Sequence, residues 1–135
     1  MHVRVCSVAV VVTLIAGVGA CGKHLYGRDD LDVTVFQHLN NLRWDERLGN
    51  AALTVAPDMR QAFLSTWTAR LRQIELQDVA VAGVSMNPSG DGADIVVNIT
   101  YVERDTMTVK TTAITEHWVR TDDGWLADKP AAPDF

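Results

Sequence analysis

"ADIVVNITYVERDTMTVKTTAITEHWVRTDDGWLAD", residues 93–128, decides the fold. Ile95, Val97, Ile99 and Tyr101 fall on every second position, the period of a half-buried strand. "ERDT", 103–106, has the composition of a hairpin turn. Met107 to Arg120 is then rich in Thr and Val, which suit a pleated surface with one face buried. "TDDG", 121–124, is a second tight turn, with Gly124 free to take positive φ. Trp125-Leu126-Ala127 makes a short last strand. Strands joined by successive hairpins must run antiparallel.

Working outward, "NPSGDG", 87–92, is dense turn chemistry. Before it, Ile74-Glu75-Leu76-Gln77 alternates, and Val79, Val81 and Val84 prolong the extended run. From Asp30 to Gln73 the period changes. Leu31, Val35, His38, Leu39 and Leu42 recur at three- and four-residue spacing, one face of a helix that Asp29 or Asp30 can cap. A short second helix is expected over Asp45 to Leu53, with Leu48, Ala51, Ala52 and Val55 inward. Pro57 suits the first position of a third helix, along which Met59, Phe63, Trp67, Leu71 and Ile74 form a stripe. Grouped helices followed by grouped strands predict an α+β domain: three N-terminal helices packed on a curved antiparallel sheet of about four strands. Pro130 and Pro133 end the pattern, leaving 129–135 as a C-terminal tail.

The other end differs in kind. Residues 5–20, VCSVAVVVTLIAGVGA, carry no charge and follow Arg4. That is the layout of a secretory signal: a basic start, an apolar stretch, small residues at the cut. At about 1.5 Å per residue, 5–20 reach roughly 24 Å, short of the roughly 30 Å hydrocarbon core. Val18-Gly19-Ala20-Cys21 resembles the bacterial lipobox. The resemblance implies a diacylglyceryl thioether on Cys21 and cleavage just before it. The chain has two cysteines. Cys6 would leave with the signal, so Cys21 has no partner for an intramolecular disulfide, and a free thiol would be a liability in an oxidising compartment. Two or three acyl chains anchor stably where one is marginal. The expected organisation is a signal at 1–20, a lipidated tether at 21–29 and the folded domain at 30–128. Gly22, standing where Asp would imply inner-membrane retention, favours the outer membrane, with the domain facing the periplasm.

Removing 1–20 takes one of the 12 basic side chains, Arg4, and none of the 17 acidic ones, moving the formal charge from −5 to −6. Nucleic acid wants a basic patch, and no two Lys or Arg residues are adjacent, so it is not an expected partner. His24, His38 and His117 lack companions at metal-ligand spacing. "DGADI" near 91 lacks the oxygen ligands of a calcium loop and reads as a turn. No nucleophile elbow, phosphate loop or dinucleotide fingerprint is present. No metal, cofactor or catalytic set is expected.

"LNNLRWDERLGNAALTVAPDMRQAF" and "EHWVRTDDGWLAD" (116–128) resemble, respectively, the helix junctions and the last hairpin of the nuclear-transport-factor-2-like superfamily, a cone-shaped α+β fold. The resemblance spans about 30–128. It implies a pocket between sheet and helices, for which His38, Trp67, Tyr101 and Trp118 are the candidates. It also leaves three uses open, because this fold hosts many functions. One is a noncatalytic module that takes a small apolar ligand or a protein partner. Another is an isomerase- or dehydratase-like enzyme using His38 or Tyr101 for proton transfer. The last is an assembly subunit, dimerising through Thr-rich strand faces such as Thr108, Thr112 and Thr115.

Overall fold

A computed structural model describes residues 28–135. The signal at 1–20, Cys21 and the tether up to residue 27 lie outside the described residues. The elements are α1 (Arg28–Arg43), a 3-10 turn (Asp45–Arg47), α2 (Leu48–Ala52), α3 (Arg60–Leu71), β1 (Ile74–Met86), β2 (Gly92–Glu103), β3 (Thr108–Thr121) and β4 (Gly124–Lys129). The strands form one antiparallel sheet in the order β1-β2-β3-β4, and the helices lie against one face of it. Among the described residues no helix is long and apolar enough to cross a membrane.

The helical stripe behaves as its spacing requires. Leu31, Val35, His38, Leu39 and Leu42 are buried, while Asp32, Gln37 and Asn40 between them face solvent. The helix begins at Arg28, which puts Asp29 and Asp30 inside its first turn rather than at the cap. α3 begins later than Pro57 suggests. Pro57 sits in a turn closed by the Met59 amide donating to the Ala56 carbonyl at 2.9 Å. The first helical bond runs from Phe63 N to Met59 O at 2.9 Å. Proline at the second position of such a turn is as well accommodated as at a helix start, since both want φ near −65°. Ile74 belongs to β1, not to the α3 stripe. The α2–α3 connection is tied to the sheet by a single parallel bridge between Val55 and Ala127, with Ala56 N to Ala127 O and Ala127 N to Thr54 O both at 2.9 Å.

β1 carries two register shifts, between Leu76 and Asp78 and between Val81 and Gly83. Each extra residue lets two inward side chains stand three apart in sequence, as Leu76 and Val79 do, and bends the strand. This supplies the sheet's curvature. On β2 the alternation is clean: Ala93, Ile95, Val97, Ile99 and Tyr101 are buried. Cross-strand partners share a face. Thr112 pairs with buried Ile99, so Thr112 and Thr108 lie on the helix side, whereas Thr111 and Thr115 lie outside. Of the three threonines offered for pairing with a second copy, Thr108 and Thr112 thus stand on one face and Thr115 on the other. On the outer face the Thr100 and Thr111 hydroxyls meet at 3.1 Å.

The turns follow their chemistry. Asn87 Oδ1 accepts from the amides of Asp91 and Gly92 at 3.0 and 3.1 Å. The Asp91 carboxylate accepts from Ser89 and Asn87, which hold its carboxyl below the usual range. "DGADI" is a hairpin turn, as its composition says. Gly124 takes φ +117° between β3 and β4. Met107, between β2 and β3, also takes positive φ, 54°, which a glycine would adopt more readily.

Candidate functional site

β3 places Glu116 and Trp118 on the face turned to the helices. The apolar face of α1 brings His38 over them. His38 Nε2 lies 3.3 Å from Glu116 Oε1, and neither side chain has any solvent exposure. The contact is close enough for charge attraction but poorly aligned for a hydrogen bond, so His38 Nε2 lacks a directional partner. On its other side His38 Nδ1 lies 3.0 Å from the Ala51 carbonyl and 2.8 Å from Thr54 Oγ1. Thr54 in turn donates to the same carbonyl at 2.8 Å. The imidazole meets Trp118 edge-on at 5.3 Å between centroids and leans on Phe63 at 5.6 Å.

Glu116 is hydrogen-bonded at both oxygens. Oε2 accepts from Trp118 Nε1 at 3.0 Å. Oε1 accepts from the Ala131 amide at 3.2 Å. Burial alone would push this carboxyl up. The neighbouring His38, with the Trp118 and Ala131 donors, outweighs burial and holds it below the usual glutamate value.

Ala131 leads into residues 130–135, which do not hang free. Its carbonyl accepts from Trp67 Nε1 at 2.9 Å, and Ala131 itself is buried. Phe135 packs on Tyr101 at 4.9 Å and on Trp67 at 6.3 Å. The Arg70 guanidinium lies 5.6 Å from the Tyr101 ring and 5.4 Å from the Phe135 ring. Arg70 is fixed by Glu103, whose carboxylate accepts at 2.8 and 3.5 Å.

The four residues singled out by sequence thus all turn inward. His38 and Trp118 meet, as do Trp67 and Ala131; Tyr101 stands with Phe135 and Arg70 rather than with His38. His117 points outward and bonds Asp128 at 2.6 Å. Glu116 is the residue the sequence reading missed. Its signal was available: it stands two positions from core Trp118, hence on the same face of the strand. Open clefts lie elsewhere. One of about 440 Å³ runs between α1 and β1, lined by Phe36, Leu39, Arg43 and Val81 among others. Another of about 340 Å³ separates α3 from residues 132–134. Neither is lined by His38, Glu116 or Trp118. Among the described residues no group of three or more His, Cys, Asp or Glu could hold a metal ion.

Helices leading into a curved antiparallel four-stranded sheet that they cover define the nuclear-transport-factor-2-like α+β cone fold. Solved structures share it. A candidate polyketide cyclase from Xanthomonas campestris pv. campestris superposes with a TM-score of 0.56 at 13% identity, covering 73% of this chain and 86% of that one. A ketosteroid isomerase-like protein from Erwinia carotovora atroseptica gives 0.53 at 13% identity, covering 73% and 88%. A protein of unknown function with a cystatin-like fold from Nostoc punctiforme gives 0.51 at 14% identity, covering 80% and 92%. At such identities the likeness is one of fold. No protein-family model matches the chain, and no curated protein sequence does.

Proposed function

We propose that this chain is a lipid-anchored binding module of a bacterial envelope. Cys21 carries the anchor, and the cone domain faces the periplasm from the outer membrane. It works by holding an apolar ligand or protein segment rather than by catalysis. The observation that carries the noncatalytic reading is the His38–Glu116 pair as it stands with 130–135 docked: both side chains are without solvent exposure, and both Glu116 oxygens are already engaged. A general base must come within hydrogen-bond reach of the proton it takes. An isomerase- or dehydratase-like enzyme would draw on this same pair, but substrate would first have to displace Ala131. The anchoring rests on the sequence at 18–21.

Growth with an alkyne-tagged palmitate tests the anchor. The full chain should take up label and sediment with membranes, and Cys21→Ser should do neither. Equal labelling and sedimentation of the two would refute the anchor. For the domain, a change in tryptophan fluorescence on adding a panel of apolar compounds and peptides tests binding; no change across the panel would refute it.

A further inference from the structure

Residues 130–135 relate to the cone as a bound peptide relates to a receptor. Ala131 is gripped through both of its backbone polar groups, its N–H by Glu116 and its C=O by Trp67. Both gripping side chains are buried. Phe135 inserts a ring among Tyr101, Trp67 and Arg70. Between these anchors Ala132 and Asp134 are exposed and Pro133 is half-buried, as is Pro130 just before them. A cleft of about 340 Å³ lies between 132–134 and α3. Backbone read by fixed side chains, with one aromatic anchor four positions on, is the economy of an extended-peptide site. Two prolines lower the entropy lost when such a segment docks.

We propose that the cone mouth is a peptide-binding site, occupied in this structure by the chain's own 130–135 as an exchangeable resident. Its ligand is an extended segment of a partner protein with the character of the resident: a small residue gripped through its backbone, then proline, an acidic residue and an aromatic ring. The proposal rests on reading the domain as a binding module and names the partner class for it. The resident has two buried hydrogen bonds and one half-buried ring to lose. β2 and β3 beneath it pair without interruption, so the segment opens before the sheet does. On leaving, it uncovers Trp67 Nε1 and Glu116 Oε1, a donor and an acceptor placed for the incoming peptide group.

The test uses a fluorescent peptide of residues 129–135 and the chain from Cys21 onward. Ala131→Asp puts a second carboxylate against Glu116 and expels the resident, leaving the receptor side chains unaltered. Fluorescence polarisation should show this variant binding the peptide at least ~100-fold more tightly than the parent. That is the factor expected if the resident is docked about 99% of the time. Equal affinity for the two proteins, or no binding to a variant whose near-ultraviolet circular dichroism shows it folded, overturns the proposal. Hydrogen exchange on the unaltered chain gives a readout that needs no variant. The Ala131 amide and Trp67 indole should exchange at least ~10-fold faster than the Ile95–Ile99 amides. Identical rates would mean that the segment leaves only with global unfolding, which also overturns it. A parent chain that dimerises through 130–135, by light scattering, replaces the partner protein with a second copy and so overturns the partner named. The tryptophan response to apolar compounds tests the binding-module reading by itself, so the two readings fail separately.

Discussion

Glu116 and Trp118, two positions apart on β3, are joined by a 3.0 Å hydrogen bond from the indole to the carboxylate. Both face the helices, and both are fully buried. An ionised carboxylate in an apolar core survives only if its oxygens are engaged and an opposite charge stands near. Trp118 and Ala131 engage the oxygens, and His38 is the neighbouring group that supplies the opposite charge when protonated.

Removing one partner of this pair leaves the other stranded. Glu116→Ala should lower the free energy of unfolding by about 3–5 kcal/mol, and His38→Ala should do much the same. The double replacement His38→Leu with Glu116→Leu should lose far less than the two single losses combined, because no charge is left buried. Urea denaturation of the four proteins checks this; additive losses would show that the pair is not coupled.

Acid should act through the same carboxyl. Glu116 has a lower pKa folded than unfolded, so the unfolded chain binds the proton first as pH falls. Its stabilising contribution is complete above the ordinary value, 4.5, and is lost as pH drops through the folded value. Thermal melts between about pH 7 and about pH 3 should therefore show a falling midpoint, and Glu116→Gln should flatten that limb. A variant with an unchanged acid limb would assign the loss to other carboxyls.

Trp67→Phe keeps most of the ring packing but deletes the donor to the Ala131 carbonyl. A buried acceptor left without a partner costs about 1–3 kcal/mol. The loss should appear in denaturant titrations, together with faster exchange of the Ala131 amide. Unchanged exchange would mean that this bond does not hold the segment.

Two of the positive-φ turn positions, Met107 and Gly124, should respond oppositely. Met107 is exposed and strained at φ 54°, so Met107→Gly should stabilise by about 0.5–1 kcal/mol. Gly124 at φ +117° has open space around it but a backbone that L-residues avoid. Gly124→Ala should cost more than about 1 kcal/mol. Calorimetric midpoints moving in the same direction for both would refute the turn assignments.

What the sequence made legible was local. Alternation at 95, 97, 99 and 101 and the stripe at 31, 35, 38, 39 and 42 placed β2 and α1, because burial imposes those periods directly. The bulges in β1 were readable too: Leu76, Val79, Val84 and Met86 pack on the core, Val81 shares their face by pairing with Val97 though it is exposed, and the five are spaced three, two, three, two. Counting parity along β3 separates Thr112 from Thr115, which the threonine-rich composition alone does not. Pro57 misplaced the start of α3 because turns and helix starts ask the same thing of proline. The grip on Ala131 was beyond reach, since it joins α3, β3 and 130–135. No short-range pattern announces that a backbone group far along the chain will answer a buried glutamate.

The two kinks in β1 have a further bearing. This strand flanks the sheet with only β2 beside it, so its outer row of amides and carbonyls could template another strand. A straight row invites stacking into fibrils; one broken twice gives an incoming strand no continuous line to follow. The same irregularity that curves the cone thus guards crowded copies against aggregation.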